Sequence, residues 1–149
     1  MSEVGIGNKD LYFVAVKVFL EKDGMFLITK DKWGAWDLPG GRIRKNEFET
    51  PLEKIIKRKM SEELGESIQY SIGKPVVCMR HERQEATADK QMVRIFAVGY
   101  EATLLDGEPK LGDHHVEMQW VDPKTFKPEK YFTGGWLKGV EEYVLLKNT

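Results

Sequence analysis

Two apolar runs open the ordered pattern of the chain, "LYFVAVKVFL" and "MFLIT", separated by "EKDG". Both are rich in β-branched and aromatic residues, and Asp23-Gly24 supplies the turn chemistry of a hairpin, so residues 11 to 30 are expected to form two paired strands. "WDLPGGRI" follows as a short apolar segment broken by Pro39, Gly40 and Gly41, which predicts a strand ending in a glycine loop. Thr50-Pro51 then reads as an N-cap followed by proline at the first helical position. Leu52, Ile56, Met60 and Leu64 recur every four residues with Ile55 beside them, so a helix is expected from about 51 to 64, stopped by Gly65. Beyond it "KPVVCMR", "VRIFAVGYEATLL" and "VEMQWV" read as strands, with Asp106-Gly107 turning the chain between the last two. The closing "GGWLKGVEEYVLLK" spaces Trp136, Val140, Tyr143 and Val144 along one helical face, read as a packing stripe.

This order predicts an α/β protein: a mixed β-sheet flanked by helices, without the regular βα alternation of a doubly wound dinucleotide domain. At 149 residues the chain has room for one domain with a sizeable core, residues 1–10 being a polar start expected to be flexible. No internal repeat or low-complexity linker divides it, and neither G-x-G-x-x-G nor G-x-x-x-x-G-K-[ST] occurs. The 23 basic and 24 acidic residues leave a net charge of −1, which supplies no basic field for long nucleic acid and favours a small ligand. Cys78 is the single cysteine, so an intrachain disulfide is impossible, and one cysteine with three histidines argues against structural zinc. Apolar runs too short for a bilayer and the absence of a signal-like start point to the cytoplasm with no membrane partner.

Candidate chemistry collects around the first helix. Glu62 and Glu63 occupy its last turn, where the helix dipole disfavours acids by about 0.3–1 kcal/mol each. Arg58 and Lys59 lie four residues before them, but in the order that gives the weaker pair. A glycine loop offering backbone carbonyls beside a helix face offering carboxylates is an oxygen-rich setting suited to Mg2+ or Mn2+ and to substrate phosphates. Arg58, Lys59 and Glu62 are expected on one helix face with Glu63 at its border, Met60 and Leu64 turning to the core. Trp33 and Trp36 offer faces on which a nucleobase would stack.

Gly41, Glu47, Arg58, Met60, Glu62, Glu63 and Gly65 stand in the order of the Nudix box, G-x5-E-x7-R-E-U-x-E-E-x-G-U with U a bulky aliphatic, and the flanking "WDLPG" and "HHVEMQWVDP" also resemble the Nudix hydrolases. The resemblance implies an α/β/α sandwich. It also implies divalent-cation-dependent hydrolysis of a nucleoside diphosphate linked to another moiety, with a nucleotide or nucleotide-sugar as substrate. Carried onto this sequence, it makes Glu63, Glu62 and the Gly40 carbonyl metal ligands, and Arg58 a residue that orients Glu47 or an adjacent carboxylate. His115 or Glu117, expected in a loop before the "QWV" strand, is the implied general base. In the GDP-mannose mannosyl hydrolase branch, which also lacks the first glutamate of the box, a histidine aligned with His115 has that role, and histidine accepts protons near neutral pH. His114 and His81 are read as surface or strand residues.

Three departures from the box matter. Glu47 to Arg58 spans eleven positions where the pattern has eight, an excess assigned to an enlarged loop before the helix. Glu66 replaces the last aliphatic. Lys59 stands where the pattern has its first glutamate, which makes it either a lost metal ligand or a new contact to the substrate diphosphate. A noncatalytic nucleotide-binding module that kept the fold is the alternative from another class, and an RNA-processing member acting on a short or capped end is a third. A homodimer is compatible with all of these.

Overall fold

In the computed structural model, which describes residues 7–149, the chain builds one seven-stranded mixed sheet between two helices. The elements are β1 (Phe13–Lys22), β2 (Met25–Asp31), β3 (Trp36–Asp37), β4 (Gly40–Arg42), α1 (Leu52–Leu64), β5 (Gln69–Gln84), β6 (Met92–Asp106), β7 (His115–Val121) and α2 (Gly134–Lys147), with single 3-10 turns at Lys45–Glu47 and Pro128–Lys130. The main path runs β3-β2-β1-β6-β5; β4 adds to β1 and β7 to β2. Among the described residues only β1 and β6 pair in parallel, and the other ladders are antiparallel. The expected flexibility of residues 1–10 falls largely outside the described residues.

Both faces of β1 are covered, which is why its sequence is apolar almost without interruption. Val16, Val18 and Leu20 face α1, meeting Ile55, Ile56, Met60 and Leu64. Ala15 and Phe19 face α2, where Phe19 stacks on Tyr143 with centroids 3.8 Å apart. The expected packing stripe of α2 is confirmed by Val140 and Tyr143, both buried. Among the described residues no helix is long and apolar enough to cross a membrane.

The β1–β2 hairpin turns through Asp23 and Gly24, both at positive φ, as the Asp-Gly pair predicts. Beyond its first two residue pairs the hairpin splays. From there β1 pairs with β4 instead, Lys17 opposite Gly40, and the Pro39 carbonyl accepts from the Val18 N–H at 2.8 Å. The glycine pair, expected as a loop, is instead strand β4 and wedges into the sheet between β1 and β2. Gly40 suits that wedge: its φ of +142° is a glycine conformation, and a Cβ there would fall 2.1 Å from the Val16 carbonyl oxygen.

Three further local expectations are corrected. Pro51, not Thr50, is the N-cap of α1, because Thr50 still closes the preceding turn onto the Glu47 carbonyl. Leu52 starts the helix but stays 39% exposed, outside the apolar stripe. His115 and Glu117 lie within β7 rather than in a loop, since the edge of β2 pairs with the chain as far back as His115.

Candidate functional site

The last turn of α1 points at the wedge. Its core stripe turns Met60 and Leu64 inward, and the same pitch brings Glu63 to the sheet, where its Oε1 accepts from the Gly40 N–H at 3.2 Å. Glu63 is mostly buried, its side chain 13% exposed, and burial raises its carboxyl above the ordinary range despite Lys17, Lys59, the Gly40 N–H and His115, which act the other way. Glu62 faces outward at the rim. Its Oε1 accepts from Arg58 at 3.2 Å and from Arg44 at 3.4 Å, and its Oε2 from Lys59 at 3.3 Å.

Arg58 grips Glu47 with two parallel hydrogen bonds, Nε to Oε2 at 2.7 Å and Nη2 to Oε1 at 2.8 Å. The Glu47 Oε1 also accepts from the Arg44 N–H at 2.8 Å. The eleven positions from Glu47 to Arg58 still allow this contact; just after the 3-10 turn Phe48 projects into solvent at 92% exposure. Arg58 hydrogen bonding, followed by the Arg44 N–H, holds the Glu47 carboxyl below the usual glutamate range.

The acids at the end of α1 are compensated twice. Side chains supply Arg44, Arg58 and Lys59, and the segment leading to β7 supplies backbone donors: the Lys110 N–H to the Leu64 carbonyl at 2.8 Å and the Gly112 N–H to the Glu63 carbonyl at 3.0 Å. These bonds satisfy carbonyls that a helix end leaves open. They also hold the start of β7 against α1, bringing His115 close enough for its charge to act on Glu63. The Nδ1 of His115 is buried and has no hydrogen-bond partner among the described residues.

Glu117 is not brought to this side. The β2–β7 register slips between Lys30 and Asp31, so that Glu117 pairs with Lys30, His115 with Asp31, and Val116 bulges between. Side chains opposite one another in a ladder share a face. Gln119 and Val121 lie opposite Ile28 and Phe26, which face α2, and Glu117 continues that row; Met118 and Trp120 belong to the α1 face. The bulge returns His115 to the α1 face and leaves Glu117 exposed on the other. Trp36 also lies with the α2 layer, its ring edge-on to Tyr131 at 5.3 Å and under the Lys30 ammonium at 5.8 Å. Trp33 is an exposed turn residue, 72% accessible.

Sequence reasoning overlooked a second charged group behind the wedge. Lys17 is 6% exposed, bonds both Asp37 carboxylate oxygens at 3.0 Å, and lies 5.0 Å from the centre of the Trp136 ring. Trp136 stacks in turn on His81 at 4.4 Å, and the His81 Nδ1 accepts from the Gly135 N–H at 3.1 Å. Burial, then the charge of Arg83, lowers the His81 pKa. The available signal was a lone lysine inside "FVAVKVFL", a charge that a doubly covered strand accommodates only when paired.

A divalent cation would need the carboxylates of Glu62 and Glu63. The Lys59 ammonium already bridges them, 3.3 Å from Glu62 Oε2 and 3.4 Å from Glu63 Oε2. No cluster of three or more metal-binding side chains assembles among the described residues. As arranged, these side chains do not fit a resident divalent ion.

The sequence profile of the NUDIX domain matches residues 11–137. No curated protein sequence matches the chain significantly. Solved structures do. A MutT Nudix hydrolase from Burkholderia pseudomallei superposes with a TM-score of 0.64 at 23% identity, covering 89% of this chain and 98% of its own. An ADP-ribose pyrophosphatase from Streptococcus suis gives 0.65 at 12% identity, over 93% and 94%. A protein from Jonesia denitrificans, described as a possible asymmetric diadenosine tetraphosphate hydrolase, gives 0.72 at 14% identity, over 93% and 96%. At these identities the likeness is one of fold, the α/β/α sandwich.

Proposed function

The chain belongs to the Nudix family, and from that premise we propose that it hydrolyses a nucleoside diphosphate linked to another moiety, a nucleotide or nucleotide-sugar, at the junction of α1 and the glycine wedge. The observation that carries the reading is Glu63: the last turn of α1 sends a carboxylate into the sheet, where the Gly40 N–H holds it, with cations on both sides of the wedge. An acid so placed is costly to bury and gains nothing for the core. It earns its place through chemistry.

In this reading the diphosphate lies over the wedge, drawn by the ammonium of Lys59 and the field of Lys17, while Arg58 and Glu47 brace the helix end that presents Glu63. Water attacks the diphosphate, one P–O bond breaks, and the nucleoside phosphate leaves. His115, on the α1 face beside Glu63, takes the attacking water's proton on its imidazole. Gly40 contributes its N–H to Glu63, which keeps the carboxylate oriented. Mg2+ or Mn2+ enters this reading as a companion of the substrate phosphates, whose charge it offsets.

A second reading, a noncatalytic nucleotide-binding module, is favoured by one observation: the Lys59 ammonium spans both acids. A screen of nucleoside diphosphate sugars, dinucleoside polyphosphates and nucleoside triphosphates with Mg2+ and Mn2+, followed by product identification, separates the two. The hydrolase reading expects a nucleoside monophosphate, a sugar phosphate or phosphate to appear from some substrate. Tight nucleotide binding with no product from any substrate would establish the module.

A further inference from the structure

We propose that Lys59 is this chain's own cation at the acidic pair: its ammonium stands where a protein-bound divalent ion would, so the substrate-free protein takes up no Mg2+ or Mn2+ there, and the same ammonium contacts the substrate diphosphate. The side chain is not a lost ligand swung into water. It is 20% exposed, and its stem lies across β4: a Cβ on Gly41 would fall 2.4 Å from Lys59 Cε and 2.9 Å from Nζ. Gly41 thus provides the groove in which the lysine lies. From there the ammonium reaches Glu62 and Glu63 at once, as one positive charge shared between two carboxylates.

The surrounding charges close the argument. Asp37, Glu47, Glu62 and Glu63 face Lys17, Arg44, Arg58 and Lys59 in direct pairs, so the region is balanced. A divalent ion would add positive charge with no acid left to receive it, and would first have to expel Lys59. A diphosphate has no need to expel Lys59, because an ammonium has three donors and the two carboxylates engage two of them. Lys59 is the cation best placed to meet it, since Arg58 commits two parallel hydrogen bonds to Glu47 and Lys17 is only 6% exposed. The general chemistry is that of a lysine serving as a point charge for phosphate.

The ion half of this inference stands on the protein alone; the diphosphate half rests on the proposed function. Two binding measurements keep them apart. Titration of Mn2+ followed by the free-ion paramagnetic resonance signal should show no site tighter than about millimolar in the parent protein, and at least tenfold tighter binding in Lys59→Glu. Inorganic pyrophosphate, titrated calorimetrically in EDTA, should bind the parent and bind Lys59→Met at least tenfold more weakly. Lys59→Met keeps the stem over Gly41 and carries both readouts should Lys59→Glu fail to fold, with Mn2+ uptake again expected to strengthen. Micromolar uptake of one Mn2+ per parent chain, or Mn2+ affinity unmoved by either variant, would overturn the assignment of the ion's place. Pyrophosphate affinity unchanged in Lys59→Met would overturn the phosphate contact, whatever the outcome of the hydrolysis screen.

Discussion

At the scale of single residues, the site is a set of paired charges whose environments differ in sign. Glu47 is held ionised by Arg58, and Glu63 is pushed toward protonation by burial. A carboxyl with a lowered folded pKa contributes stability above its ordinary value of 4.5, and that contribution is lost as pH falls through the lowered folded value. Glu47→Gln should therefore melt below the parent at pH 7, with the gap closing in acid once both side chains are neutral; a gap constant across that range would mean the clamp adds no charge-dependent stability. His115 and Glu117 separate by face, so His115→Ala should lower kcat by about a hundredfold or more, within the range of general acid–base catalysis, while Glu117→Gln leaves it near the parent. Steady-state kinetics on the best substrate checks both, and an unchanged kcat in His115→Ala would pass the base to Glu63, whose raised pKa suits the task. The residue types in "RKMSEELG" were readable as a charged site beside a glycine loop. Lys17 was not, because its partner Asp37 arrives only when the hairpin splays. His115 and Glu117, two apart and so on one face of a regular strand, were separated by a bulge that local sequence does not announce.

At the scale of elements, local pattern located both helices and most strands along the chain, while the order of the strands in the sheet came only with the structure. The pattern misjudged the helix start by one residue and could not foresee the wedge, which depends on β4 taking the place of β2 beside β1. The contact between α1 and the segment before β7 is of the same long-range kind and makes the site depend on one glycine. A Cβ on Gly112 would fall 2.3 Å from the Glu62 carbonyl oxygen, a backbone atom that cannot swing aside. Gly112→Ala should push the start of β7 off the helix end, costing about 1–3 kcal/mol as over-packing does, and should reduce kcat through displacement of His115. Denaturant unfolding measures the first and turnover the second. Parent-like values of both would show that the capping bonds from Lys110 and Gly112 do not position the histidine.

At the scale of the whole molecule, the two helices cover opposite faces of one sheet, and the splayed hairpin is where the faces communicate. The Glu63 group lies on the α1 side and Lys17, Asp37 and Trp136 on the α2 side, with Gly40 between them. The mixed sheet flanked by helices was legible in the runs of strands that precede each helix, and the sandwich through the resemblance of the box. The placement of the chemistry was half legible, since one of its two halves comes from residues that read as core. The central claim is that Glu63 at the wedge makes this chain a hydrolase. Product release in the nucleotide screen, run on the parent and Glu63→Gln side by side, tests it most directly: the account predicts a nucleoside phosphate product from the parent and a loss of at least a hundredfold in the variant, whereas equal turnover in both proteins would contradict it.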